Sequence, residues 1–156
     1  MRVESIEAIS EENAMNKKPE LTHEGGSVSF LNKIPGTPAP APFFSQVAWA
    51  GDTAYLAGLI GLDPITGKLV EGGIVAETER TIDNIEAVLA GAGLSLADVA
   101  RVTVYLSDIA HPPTMNEIYA RRIGKFRPAR EMVAISGLAF GAAIEITVIA
   151  YRGRSQ

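Results

Sequence analysis

From Ala76 to Ala92 the chain repeats apolar side chains at spacings of three and four, at Ile82, Ile85, Val88, Leu89 and Ala92. Charges at Glu79, Arg80, Asp83 and Glu86 fall on the other faces, which predicts an amphipathic helix. Gly91 and Gly93 suit its end, where a left-handed residue is often needed. Elsewhere the period shortens to two. Val47 to Ala50 and Thr53 to Ile60 read as strands joined by a tight turn at Gly51-Asp52. Asp63 to Gly67 reads as a further turn, and Lys68 to Val70 as a short strand end. Ser95 and Asp98 have capping-box spacing before a strand over Arg101 to Ser107. In that strand Val102, Val104 and Leu106 share one face, and Thr103 and Tyr105 the other. Thr114 and Glu117 predict a second capped helix that turns Met115, Ile118, Tyr119 and Ile123 inward. Glu131 to Ile135 and Ala143 to Tyr151 complete the set as strands. This order predicts an α+β sheet with two main helices on one face.

Two stretches lie outside this periodicity. Residues 1–28 read as an N-terminal extension, flexible or docked on the surface, and residues 29–154 as the folded domain. A polar segment from Ser5 to Met15 has some helical character, and His23-Glu24-Gly25-Gly26 interrupts any continuation. Between Ile34 and Pro42, proline alternates with small residues, which predicts ordered, extended coil. It serves as a linker or as one wall of a pocket, since it leads directly into Phe43-Phe44-Ser45-Gln46.

Composition narrows the chemistry. The length of 156 residues suits one domain, and 47% apolar with 21% charged residues is ordinary for a globular chain. The absence of cysteine excludes disulfides, thiolate nucleophiles and cysteine-ligated zinc. His23 and His111, the only two histidines, give little support to a metal site or a Ser-His-Asp triad. A net charge of -4 argues against nucleic acid as a partner. No apolar stretch approaches the ~20 residues that span a bilayer, and the early glutamates do not fit a signal peptide. The expected location is the cytosol.

Two residues stand out. Arg130 follows Arg127-Pro128-Ala129 where coil turns into strand, a stiff setting for a guanidinium fork that matches a carboxylate in two-point geometry. The competing reading is an ion pair with Glu131 or with a neighbouring subunit at the surface. Glu145 is the sole charge in the apolar strand from Ala142 to Ala150. Buried there, its carboxyl would gain affinity for a proton and become a candidate acid/base that orients a water. Alternation equally allows it to face solvent beside Thr147, Ile149 and Tyr151.

From about Pro38 nearly to the C-terminus, an ordered series of motifs resembles the RidA/YjgF family of enamine/imine deaminases. Ala41-Pro42-Phe43-Phe44-Ser45-Gln46 resembles the family's G-P-Y-S-Q element. Ala57-Gly58-Leu59-Ile60-Gly61-Leu62-Asp63-Pro64 resembles S-G-Q-I-P-x-x-P, and Thr103 to Asp108 resembles T-V-F-L-x-D. Met115 to Tyr119 resembles the x-N-x-x-Y helix. Pro128-Ala129-Arg130 with Ile144-Glu145-Ile146 resembles the closing P-A-R and I-E-I pair.

The resemblance implies a chorismate-mutase-like fold, a homotrimer with sites in the clefts between subunits, and hydrolysis of 2-aminoacrylate-type enamines or imines to 2-oxo acids and ammonia. It implies that Arg130 holds the substrate carboxylate and Glu145 positions or activates water. Phe44, Gly58, Leu59, Asn116 and Met132 would shape the pocket, with no metal or organic cofactor required. Among the departures from the pattern, Phe44 replaces tyrosine, Leu59 glutamine, Gly61 proline and Met132 cysteine. Either they make the pocket less polar, suiting bulkier apolar substrates, or they are ordinary packing substitutions. The alternative functions are a non-catalytic trimer that binds small carboxylates and, more remotely, an RNA-cleaving translation inhibitor.

Overall fold

The computed structural model describes residues 20–22 and 27–153. The segment from Ser5 to Met15 and the interruption at His23 to Gly26 lie outside the described residues. Seven strands form one sheet: β1 (Glu20–Thr22), β2 (Val28–Asn32), β3 (Val47–Ala50), β4 (Thr53–Leu56), β5 (Val99–Leu106), β6 (Ala129–Ala134) and β7 (Ile144–Tyr151). Their order across the sheet is β1-β2-β3-β4-β7-β5-β6, with only β5 and β6 parallel. Parallel neighbours need a long crossover. Helix α2 (Pro112–Arg122) supplies it, and helix α1 (Gly73–Gly91) carries the chain from β4 to β5.

Both helices cover the same face. Strand alternation sends Val47 and Trp49, Val102, Val104 and Leu106, and Ile144, Ile146 and Val148 toward them. Ile82, Ile85, Val88 and Leu89 of α1 and Met115, Ile118 and Tyr119 of α2 close over these side chains in one core. The expected α+β arrangement is present. The second face carries Tyr55, Tyr105, Glu145, Thr147, Ile149 and Tyr151, and no helix among the described residues covers it.

Local differences have local causes. Strand β2 escaped the sequence reading because Val28–Asn32 is short and only Leu31 is fully buried; pairing with β3 makes it a strand. Residues 20–22, assigned to the extension, pair with β2 as an edge strand. Strand β4 ends at Leu56 rather than Ile60, although Leu59 rejoins β7 through a bridge to Ile146. Lys68 to Val70 contributes a single bridge, Leu62 to Leu69. Helix α1 starts at Gly73, ahead of Ala76, and ends as expected: Gly93 is left-handed, its N–H donates to Ala90, and the Leu94 N–H reaches back to Leu89. The Ser95–Asp98 capping box forms, but the Thr114–Glu117 box does not. Helix α2 begins two residues earlier, at Pro112 and Pro113, whose preset φ and missing N–H suit a first turn without a side-chain cap.

Arg122 ties α2 to α1, donating to Glu79, Asp83 and Glu86, each at 2.7 Å, and Arg121 also pairs with Glu79. Partial burial opposes the Arg122 charge, but the three carboxylates outweigh it and push its pKa above the ordinary arginine range.

Candidate functional site

Strand β6 is a sheet edge, and its register sets where Arg130 goes. Arg130 lies beside Val102 of β5, so its side chain shares the helix-covered side. There its guanidinium stacks on the Tyr119 ring, 4.5 Å from the centroid, and Nη1 donates to Asn116 Oδ1 at 2.8 Å. Asn116 and Tyr119 are one turn apart on α2, a spacing that puts both on one helix face. Face and edge of the guanidinium are thereby both fixed. Among the described residues no carboxylate pairs with Arg130. The competing reading of an ion pair with Glu131 is not met, because Glu131 instead accepts from Arg101 at 2.6 Å and Thr103 at 3.0 Å on the other face. Those hydrogen bonds hold the Glu131 carboxyl below its usual range. Met132, two residues beyond Arg130, packs against the core on the same side.

Glu145 lies on the opposite face. In β7 it alternates with the buried Ile144 and Ile146, and its neighbour in β5 is Tyr105. The side chain folds over Gly58, where a Cβ would overlap the carboxyl oxygen Oε1. Only glycine leaves room. The carboxyl is half-buried, and burial raises its pKa. Both sequence readings of Glu145 were partly right: it shares the uncovered face with Thr147 and Ile149, yet it is substantially removed from water.

Gly58 and Leu59 also line a recess of about 70 Å³ with Pro38, Pro40, Phe44, Ile60 and Leu62. Two side chains organise it. The Gln46 amide accepts from the Ile34 N–H at 3.0 Å and donates to Thr37 Oγ1 at 2.6 Å and to the Pro38 carbonyl at 3.2 Å. The proline-rich coil is therefore a pocket wall, not a free linker. From the other side, Asn84 of α1 donates to the carbonyls of Ile60 and Leu62 at 3.0 and 2.9 Å. At Gly61 an added Cβ would come within 2.9 Å of the Glu77 Cα, so this segment lies directly on the helix backbone.

The chain thus brings the expected residues together in two groups: Arg130 with Asn116 and Met132, and Glu145 with Phe44, Gly58 and Leu59. It does not bring the two groups together, since Arg130 and Glu145 occupy opposite faces of one sheet. Sequence reasoning gave Tyr119 no site role. Its position three residues after Asn116 was the available signal, and its reading as a core residue is also true. Burial raises the Tyr119 pKa, with the Arg130 charge acting against it, so the ring stays a neutral platform.

The first group can hold a carboxylate and the second can hold a water. Among the described residues there is no cluster of three or more histidine, cysteine or carboxylate side chains that could hold a metal.

Comparison with known proteins places the chain in a family. The family model described as Endoribonuclease L-PSP matches residues 35–152. A RutC family protein of Pyrococcus horikoshii is 44% identical over 115 residues, covering 74% of this chain and 91% of its own length. The human 2-iminobutanoate/2-iminopropanoate deaminase is 36% identical over 121 residues, 78% of this chain and 86% of its own. The crystal structure of RidA from an Antarctic Psychrobacter superposes with a TM-score of 0.71 at 35% identity, covering 75% of this chain and 94% of that one. The chain belongs to the RidA/YjgF family, the one also described as Endoribonuclease L-PSP.

Proposed function

We propose that this protein is a cytosolic homotrimer that hydrolyses 2-aminoacrylate-type enamines and imines to 2-oxo acids and ammonia. The observation that carries the reading is Arg130, held by Asn116 and Tyr119 with no carboxylate of its own chain among the described residues. An arginine immobilised in this way is prepared for a carboxylate from outside. The relatives named as imine deaminases supply the substrate class.

Because Arg130 and Glu145 lie on opposite faces, the working site takes Arg130 from one subunit and Glu145 from the next. The uncovered face, with Tyr55 and Tyr151 each about half exposed, supports self-association. The number three comes from the family resemblance. In the joined site Arg130 grips the substrate carboxylate. An enamine first moves a proton from nitrogen to its terminal carbon, giving the imine. Water held at Glu145 then adds to the C=N carbon, giving one proton to the carboxylate, which passes that proton to the nitrogen. The resulting carbinolamine then passes its hydroxyl proton to the nitrogen as the C–N bond breaks, releasing ammonia and leaving the 2-oxo acid. Such imines already hydrolyse in water, so registering water against a bound carboxylate supplies the modest acceleration required.

The test generates imines from amino acids with an amino-acid oxidase and traps them with semicarbazide. The protein is expected to compete with the trap and slow semicarbazone build-up, and Arg130→Ala to lose this competition. An Arg130→Ala protein as active as the parent would remove the carboxylate anchor.

A further inference from the structure

The recess beside Gly58 has a chemical character that the imine reading leaves unused. Its side-chain lining is apolar apart from Gln46, whose amide is fully engaged by Ile34, Thr37 and Pro38. Much of its backbone is engaged too. The Ala57 N–H donates to Gln46, Leu59 exchanges both of its hydrogen bonds with Ile146, and the Ile60 and Leu62 carbonyls accept from Asn84. A polar group entering this space would give up water and find few partners, a strong ground for rejection. At about 70 Å³ the recess falls well short of the roughly 300 Å³ from which whole-ligand pockets begin. Counting about 10–15 Å³ for each water-sized position, it holds roughly five to seven heavy atoms. That is the size of one side chain.

Its position matters as much as its lining. Gly58 forms part of the recess and also lies under the Glu145 carboxyl. Gly58 is the residue through which the recess adjoins the Glu145 carboxyl, where the imine reading holds its water.

We propose that the recess bounded by Pro38, Pro40, Phe44, Leu59 and Leu62 receives the substrate side chain, and that the preferred substrates are imines bearing an apolar group larger than methyl, of the leucine or phenylalanine kind. This rests on the imine-hydrolysis reading and deepens it. A methyl group would leave most of the recess unfilled, and a carboxylate-bearing side chain would be desolvated without a partner.

The experiment compares imines made from alanine, leucine, phenylalanine and glutamate by amino-acid oxidases, with supply matched through peroxide output. Relative kcat/KM comes from competition with semicarbazide. Leucine and phenylalanine imines are expected to exceed the alanine imine by about tenfold or more, with the glutamate imine lowest. Leu59→Gln is expected to bring the leucine-to-alanine ratio toward one. Should that variant fail to fold, Leu59→Ala, which enlarges the recess, is expected to shift preference from leucine toward phenylalanine. An alanine imine processed as well as the larger ones, or a ratio that neither variant moves, would overturn the side-chain assignment while imine hydrolysis stands. Failure with all four imines would instead sink the hydrolysis reading, and this proposal with it.

Discussion

Glu145 and Gly58 act as one unit, because the carboxyl occupies the space a Cβ at residue 58 would need. Gly58→Ala displaces only the end of a flexible side chain. It is therefore expected to reduce imine hydrolysis about as far as Glu145→Gln does, with little change in melting temperature. Gly61→Ala presses on the α1 backbone at Glu77 instead, and a loss of about 1–3 kcal/mol is expected from denaturant unfolding. The carboxyl also sets a pH dependence. Burial raises the folded pKa of Glu145 above its unfolded value, so the folded chain holds this proton more tightly. Its favourable contribution is complete below the unfolded pKa and is lost as pH rises through the folded one. Glu145→Gln is thus expected to raise Tm at pH 8 and to leave it unchanged below about pH 4, where both states are protonated. If the ionised form receives the proton from water, activity falls on the acid side at a pH above the usual carboxylate range. A melting series across pH and a pH–rate profile check the two statements separately.

Among the elements, the α1–α2 clamp is the clearest electrostatic contribution. Arg122 is largely covered and faces three carboxylates, so removing it leaves them crowded, with Glu79 and Asp83 keeping only Arg121 and Arg80. Arg122→Met is expected to lower stability by about 1–2 kcal/mol, which for a chain of this size is a fall of several degrees in Tm. Part of the loss should be recovered at high salt, where carboxylate repulsion is screened. Elements governed by local chemistry were legible in the sequence. The 3.6-residue spacing gave α1, Gly93 its end, and strict alternation gave β5 and β7. Elements governed by distant partners were not. Val28–Asn32 becomes a strand through β3, and the two prolines at 112 and 113 outrank the capping-box pattern that follows them. The site divides the same way. Arg130 and Glu145 stood out as anomalies in their strands, whereas the platform role of Tyr119 needs the α2-to-β6 approach that one-dimensional spacing does not contain.

For the whole molecule, the placement of the two groups predicts an unusual mixing result. A site that takes Arg130 from one subunit and Glu145 from its neighbour is intact whenever an Arg130→Ala chain donates the glutamate and a Glu145→Gln chain donates the arginine. Co-refolding the two inactive variants in equal amounts should restore about a quarter of wild-type activity by random assembly. A site within one chain would restore none. Net charge belongs to this scale as well: at -4 the chain as a whole is repelled by a phosphate backbone. No helix among the described residues is long and apolar enough to cross a membrane.

Strand β7 follows every other strand in the chain, yet lies between β4 and β5 in the middle of the sheet. Without residues 144–151 the sheet would divide into two parts, β1 to β4 and β5 with β6. The strand that carries Glu145 is also the keystone, so the pairing that sets this carboxyl over Gly58 is the pairing that completes the sheet.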